Sequence, residues 1–404
     1  MAAIKHALVI GGGIAGPAVA LALAKAGIRS TIYESHPVGA DGLGGSLMLA
    51  PNGLAALKVI GLDAEQLALG QPIAHMAIAN SRGKILSRFS GLNGMQPSRV
   101  MWRAELYKVL RDAVEDAGIP VVYGKRLIEA SETASGVRAQ FTDGSKAQGD
   151  ILVGADGIRS AVRELIDPNA PIPHYAGHLG FGGWAPHGTV DSAPGTMTFV
   201  FGKRGFFGYW PDADQGICWF GSLPHDVPLS TAEVCKMPAS HWMNRLRELY
   251  RDDQPAQAFL RHVEPHQLFA AGASEWMPPV PHWHSETMVL VGDAVHAPSS
   301  SSGQGASLAI ESAVQLARCL RDIPTPSAAF AAYEQLRRAR VEAVAASAAR
   351  TNSQKASGPF AKALMHIIMP IALKTFFNPA KVFAAQHGYR IDWNALALPC
   401  PHDF

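Results

Sequence analysis

The chain has no run of roughly 18 uninterrupted apolar residues, the length that a membrane-spanning helix needs, although 48% of its 404 residues are apolar. No transmembrane segment is expected. It also lacks an excess of charge of either sign. Lys and Arg number 35 against 33 Asp and Glu, a net +2, with the signs interspersed and no basic block, so nucleic acid is not an expected partner. Cysteine is sparse as well. Cys218, Cys235, Cys319 and Cys400 lie far apart without a CxxC pair, which gives no grounds for a disulfide framework or a zinc site. The opening MAAIKHALVI passes at once into a strand-like run and shows no signal-peptide regions. A reducing, cytoplasmic setting is expected.

What is present is the grammar of a doubly wound sheet. HALVI (residues 6–10) reads as a buried strand, IAGPAVALALAKAG as a helix stopped at Gly27, and STIYE as a second strand, which together make a β-α-β unit. MWRAELYKVLRDAVEDAG (101–118) is an amphipathic helix, PVVYG a strand, and the Thr- and Val-rich stretch after it a hairpin ladder turning at TDGS (142–145). From about Pro171 to Pro281 aromatic, β-rich segments between turn residues read as an antiparallel sheet. Parallel-sheet grammar then resumes at TMVLVGDA, so the first domain is discontinuous. The expected division is 1–70, 98–170 and 282–355 for a Rossmann-like α/β domain, 71–97 and 171–281 for an α+β domain, and 356–404 for a C-terminal helical region. Within that last region FAKALMHIIMPIALKTFF, broken by Pro370, is expected to pack on the body rather than lie on a membrane, because its polar face is poor in Lys and Arg.

Three stretches carry chemistry. GGGIAG holds Gly11, Gly13 and Gly16 in a GxGxxG pattern, which a chain with 39 glycines can show by chance. Here it follows a strand, opens a helix, and precedes Glu34 at the end of the next strand. Gly11 makes the turn, Gly13 lets backbone approach a pyrophosphate, Gly16 lets helix and strand pack closely, and Glu34 accepts hydrogen bonds from a ribose diol. An acid at that place disfavours a 2′-phosphate and points to FAD or NAD. GADGIRSAVR (154–163), taken alone, reads equally as a strand ending in an Asp-Gly turn. The third stretch, GDAVHAPSSSSGQGASLAIESA (292–313), places Asp293 at a strand end, where doubly wound sheets bind ligands. A serine loop then leads to Gly303, Gln304 and Gly305 at the first turn of a helix, whose free N–H groups suit negative charge. His296 reads as a loop-packing residue rather than a base, since no carboxylate stands beside it in the sequence.

In this order and spacing the three motifs resemble the class A flavoprotein monooxygenases, the family of para-hydroxybenzoate hydroxylase, salicylate hydroxylase and the tetracycline-inactivating hydroxylases. The resemblance runs from His6 to about Arg350 and includes GGSLMLAPNGLAALKVIGL and the spacing of Arg103, Leu106 and Leu110. It implies that Gly11, Gly13, Ala15 and Gly16 bind the ADP part of FAD, Glu34 its ribose, and Arg103 the dinucleotide. It further implies that Asp156 lies near the pyrophosphate, that Asp293 holds the ribityl chain or adjoining phosphate, and that the amides of Gly303, Gln304, Gly305 and Ala306 meet the flavin pyrimidine edge. The sequence departs from the family in three places. Serines follow Pro298 where many members have a second proline, so Ser300 stands where that proline would touch substrate. Ser307 and Ser312 replace the common Asn and Asp, and GADGLGG before GGSLML carries no arginine.

The activity implied is hydroxylation of an aromatic or polyketide-like small molecule by O2 through a flavin C4a-hydroperoxide, with NADH or NADPH as donor. The chemistry would sit on the flavin, with no catalytic side chain or metal assigned. Phe181, Trp184, Phe199, Phe201, Phe207, Tyr209 and Trp219 are pocket candidates, about half of which should face the flavin because alternate strand residues point to opposite sides. Such a pocket suits a flat, largely apolar substrate. Two other readings stay open: a flavin halogenase or reductase, against which the absence of a Trp-x-Trp-x-Ile-Pro signature counts, and a non-catalytic flavoprotein that shelters a reactive metabolite.

Overall fold

The computed structural model describes residues 4–39, 45–92, 94–355 and 384–397, with side chains to residue 348 of the long last helix. The apolar stretch 360–377 and most of the loop that lacks the family arginine lie outside the described residues. A five-stranded parallel sheet forms the centre, in the spatial order Met288–Leu290, Ile151–Gly154, His6–Ile10, Arg29–Tyr33, Val121–Val122. Its inner strands carry Ala7, Leu8, Val9, Leu152 and Val153, each 0% exposed. Parallel strands buried in this way need cover on both faces. The helix Ala15–Lys25 lies against the sheet with an unbroken buried run from Ala15 to Leu23. Alanine and glycine dominate that run, which allows close approach. The late helix Gly305–Asp322 packs between this helix and the long last helix Pro326–Lys355.

In the intervals between the strands of this sheet the chain builds others. Leu127–Thr133, Gly136–Phe141 and Lys146–Gly149 form an antiparallel ladder. Its expected turn at 142–145 is made by Gly144 at φ +81°, with Ser145 donating to the Asp143 carboxylate. A seven-stranded sheet runs Phe269–Trp276, His174–Ala185, Gly216–Pro224, Phe206–Asp212, Thr196–Phe201, His75–Asn80, Ile85–Ser90. It is antiparallel except where Thr196–Phe201 pairs in parallel with His75–Asn80. That pairing ties the early segment to the aromatic one. Among the described residues no helix is long and apolar enough to cross a membrane.

The two faces of the seven-stranded sheet differ in what covers them. On one, the helices Ala239–Leu249 and Gln254–His262 bring Trp242, Met243, Phe259 and Leu260 against Phe181, Phe207, Tyr209 and Trp219 in a single buried cluster. The rings of Phe207 and Trp219 stack at 5.4 Å, and Phe207 meets Phe259 at 5.3 Å. These four candidate pocket residues are therefore core, 0–4% exposed, and the pocket assignment is withdrawn for them. Trp184 and Phe199 lie with Met197, Trp210, Cys218 and Phe220 in a separate cluster on the opposite face. Phe201, two residues on from Phe199, shares that face.

Replacing Phe207 with alanine should lower the unfolding free energy by about 3–5 kcal/mol, the usual cost of emptying a buried aromatic site. Urea denaturation measures it, and a loss below about 1 kcal/mol would mean that the ring is not core.

Candidate functional site

The site begins at the turn after the first strand. Gly11 adopts φ +106°, and a Cβ there would stand 2.4 Å from the Ala155 carbonyl oxygen. A Cβ on Gly16 would stand 1.8 Å from the Gly11 carbonyl oxygen. Only glycine allows either approach. A Cβ on Gly13 would meet nothing but the Arg103 guanidinium, at 3.3 Å, so that backbone lies open beside a cation. Glu34 ends the second strand with Oε2 accepting from the Gly12 amide at 2.7 Å, and Oε1 from the His36 amide at 2.8 Å and the Ser35 hydroxyl at 3.1 Å. The helix that starts at Ala15 has Ile14 as N-cap, no side-chain cap bond and no acid in its first turn. Its leading N–H groups are thus left for an external anion.

The other motifs close on this turn. Gly292 at φ +67° would press a Cβ onto Ala15 at 3.0 Å and Ala309 at 3.2 Å, so Ala15 backs the strand end that presents Asp293. Water reaches the Asp293 side chain, yet burial by the surrounding protein pushes its pKa up, opposed by the charge of Arg103. These two properties fit a carboxylate on the floor of a deep cleft. Arg103, which opens the helix Arg103–Asp116, faces Gly13 on one side and Asp293 on the other. Asp156 adjoins Gly11, its Cα 2.9 Å from where a Gly11 Cβ would be. Its carboxylate is engaged in capping the helix Ala161–Ile166, accepting from Ser160 Oγ at 2.5 Å and from the amides of Ala161 and Val162 at 2.8 and 3.2 Å. Burial raises its pKa against those bonds. Asp156 thus adjoins the glycine turn, while both its oxygens serve the fold.

The serine loop ends in Gly303 at φ +59°, where a Cβ would meet Met48 Cε at 2.6 Å. Gln304 is the N-cap of the late helix without a side-chain cap bond. Its Oε1 instead accepts from Asn52 Nδ2 at 3.0 Å, while its amide donates to Ser302 Oγ at 3.1 Å. The amides of Gly305 and Ala306 follow in the first turn, which holds no acid. Ser307 Oγ accepts from the Ala50 amide at 3.1 Å. His296 is buried, 2.9 Å from Ser312 Oγ, with its ring against Trp283. Burial and the nearby Arg337 hold its pKa down to about 3, so it is neutral and serves in packing. Ser300 is exposed, 3.4 Å from Ser274 Oγ of the strand Phe269–Trp276. Among the described residues no cluster of His, Cys, Asp or Glu could hold a metal ion.

The other face of the seven-stranded sheet carries a second aromatic cluster, in which Ile73 and Val100 pack with Met197, Trp210 and Cys218 while Trp184, Phe199 and Phe220 stay half-buried. Trp102 meets Trp184 at 6.2 Å and Phe269 at 5.6 Å between ring centroids. Phe199 meets Phe220 at 6.4 Å, Phe201 meets Phe206 at 5.5 Å, and Trp210 meets Phe220 at 6.0 Å. Sequence reading missed Trp102, Phe206, Trp210, Phe220 and Phe269. Trp102 had a local signal, since it immediately precedes the arginine of the cleft. The two residues join the aromatic face to the glycine turn.

A family model described as FAD binding domain matches residues 5–348. The chain belongs to this FAD-binding family. Aurachin C monooxygenase/isomerase of Stigmatella aurantiaca is 30% identical to it over 343 residues, covering 82% of this chain and 84% of the relative. FAD-dependent urate hydroxylase of Klebsiella oxytoca is 30% identical over 363 residues, covering 83% and 86%. A solved structure of Klebsiella pneumoniae HpxO complexed with FAD and uric acid shares the fold, with TM-score 0.81 at 23% identity over 95% of this chain and 96% of that one. The open glycine turn, the uncapped helix starts and the carboxylate in the cleft fit the dinucleotide that the family binds.

Two outcomes follow for this FAD-binding protein. Glu34→Ala should weaken FAD binding by about 1–3 kcal/mol, the loss of charge-assisted hydrogen bonds, read by fluorescence titration of the apoprotein; unchanged affinity would remove Glu34 from the ribose. Asp293→Asn should bind FAD more weakly and yet make the apoprotein more stable at pH 7. A carboxyl whose folded pKa is raised loses stability as pH climbs from its unfolded value, about 3.9, through the folded one, and asparagine escapes that loss. Thermal melts of the two apoproteins should therefore converge as pH falls toward 4, and a parent at least as stable as the variant at pH 7 would contradict the buried-cleft assignment.

Proposed function

We propose that the protein is a FAD-dependent monooxygenase that hydroxylates a flat, largely apolar aromatic molecule, with NADH or NADPH as electron donor. The balance is one NAD(P)H, one proton, one O2 and the substrate C–H, giving NAD(P)+, water and the hydroxylated product. The observation that carries this reading is the junction at Trp102 and Arg103, where the guanidinium beside the glycine turn adjoins a ring packed on Trp184 and Phe269. FAD, when bound, supplies the redox and oxygen chemistry. The chain supplies the rest. In this reading Gly11, Gly13, Ala15 and Gly16 receive the ADP part, Glu34 the ribose, and Arg103 and Asp293 the linking chain, while the amides of Gly305 and Ala306 meet the pyrimidine edge, those of Gly303 and Gln304 being engaged by the Ser300 carbonyl and Ser302 Oγ. Residues 1–70, 98–170 and 282–355 form the FAD-binding part, residues 71–97 and 171–281 the substrate part, and 356–404 a terminal region.

Trp184, Phe199 and Phe201, with Trp102, Phe220 and Phe269, offer stacking surface for a planar ring and keep water from the reacting atoms. Ser300 and Ser274 stand at the edge of this surface, where hydroxyls could orient a polar substituent. The free thiols Cys218, Cys235 and Cys319 suit a reducing cytoplasm.

Phenolic and polyketide-like compounds, screened with the FAD-loaded protein, should include at least one that stimulates NAD(P)H oxidation and gains one atom of 18O from labelled O2. Trp184→Ala should raise the KM for that compound about tenfold, the loss of one stacked ring at about 1.4 kcal/mol, and increase hydrogen peroxide released per NAD(P)H. Stimulated NAD(P)H oxidation without label in any product would exclude oxygen transfer.

A further inference from the structure

Behind the late helix lies a buried charge cluster that the proposed reaction does not use. Glu311, 1% exposed, is held by two guanidiniums. Arg340 grips both carboxylate oxygens, from Nε at 2.9 Å and from its second terminal nitrogen at 2.8 Å. Arg337, 0% exposed, stands 2.7 Å from Oε2. Burial would raise the Glu311 pKa, but the two arginines more than offset it and hold the carboxyl below its ordinary value. One negative charge thus faces two positive ones. The other acids on the last helix are engaged elsewhere, Glu334 and Glu342 both pairing with Arg338 at 2.7 and 3.1 Å. His296 is neutral, and Arg390 adds a further positive charge from the exposed side.

The cluster reaches the helix start directly. Arg337 donates to the Leu308 carbonyl in the first turn at 3.3 Å and to Ser312 Oγ at 3.2 Å. Asn52 Nδ2 donates both to Glu311 Oε1 at 2.7 Å and to Gln304 Oε1 at 3.0 Å. Glu311 is six residues beyond Gly305, about 9 Å along the axis at about 1.5 Å per residue. The uncompensated charge and the helix dipole therefore point the same way, toward whatever lies at the N-terminus.

We propose that Arg337 and Arg340 are positioning residues whose excess positive charge, acting through the late helix, raises the reduction potential of the bound flavin by stabilising the negative charge of its reduced ring. This rests on the reading that the amides of Gly305 and Ala306 face the flavin pyrimidine edge. A unit charge about 12 Å away, the helix length plus a contact distance to a group at its N-terminus, changes an ionic equilibrium about tenfold at an effective dielectric constant of about 20.

The test is the flavin midpoint potential of the holoprotein, measured by equilibration with a reference dye. Arg340→Gln should lower the two-electron reduction equilibrium on the order of tenfold, about 30 mV, whereas Glu311→Gln should raise it by a similar factor. A purely structural role would instead weaken FAD binding and thermal stability in both variants without opposite potential shifts. If Glu311→Gln does not fold, Arg340→Gln paired with Arg340→Lys decides, since lysine keeps the charge and should restore the parent potential. Unchanged potentials, or shifts of the same sign in the two neutralised variants, would overturn the proposal. Ala306→Pro removes one amide of the first helical turn, where no intrahelical hydrogen bond is lost. If it lowers the potential while the Arg340 and Glu311 variants do not move it, the site reading stands and the charge proposal falls. If it leaves both potential and FAD affinity unchanged, the site reading itself fails.

Discussion

Two helix starts without side-chain caps are the constraint around which the molecule is arranged. Ile14 and Gln304 both stand at N-cap positions and neither bonds its own helix with its side chain. Backbone N–H groups left this way inside a protein are costly unless something answers them. The fold keeps them near open space, and the chain around them is chosen for closeness. Gly16 lies against the Gly11 carbonyl, and Gly292 against Ala15 and Ala309. These contacts bring the first and late helices together across the end of one sheet, so both starts border the same cleft. An anionic, elongated ligand can answer both.

The cleft was readable from sequence because its determinants are local. A glycine turn, an acid one strand later and a Gly-Asp pair at a strand end each sit within a few residues of the backbone they shape. The aromatic sheet was less readable for an equally physical reason. Phe206 adjoins Phe207, Tyr209 adjoins Trp210, and Trp219 adjoins Phe220. When large apolar residues occupy both phases of a strand, alternation cannot say which face the helices cover. The helices Ala239–Leu249 and Gln254–His262 settled it, placing Phe207, Tyr209 and Trp219 in the core beneath them, while Trp210 and Phe220 join the cluster on the opposite face. Nor could spacing reveal that Asn52 bonds Glu311, since 259 positions separate them.

Asp293 and Glu311 show two ways of keeping a carboxylate inside a protein. Glu311 has guanidiniums on both oxygens. Asp293 has only the more distant charge of Arg103 against its burial, and no hydrogen bond to a described side chain completes its shell. The first arrangement is finished by the chain itself, including the carbonyls of Ala385 and Gln386 that accept from Arg340 and the Tyr389 ring beneath it. The second is left to water and to the more distant charge of Arg103.

The order in which the two large sheets acquire their strands sets a schedule for synthesis. The seven-stranded sheet has its last strand once Trp276 has emerged, and everything it needs lies between Gln71 and that residue. The parallel sheet begins with His6 but has no partner for the outer side of Ile151–Gly154 until Met288–Leu290 is made. At roughly 5–20 residues per second on a ribosome, the early strands spend on the order of ten seconds or more with an unpaired edge, a known invitation to misassociation. The inserted sheet can fold during that interval. The edge left waiting is that of Ile151–Gly154, so in a nascent chain the most regular sheet of the finished molecule is the last to close.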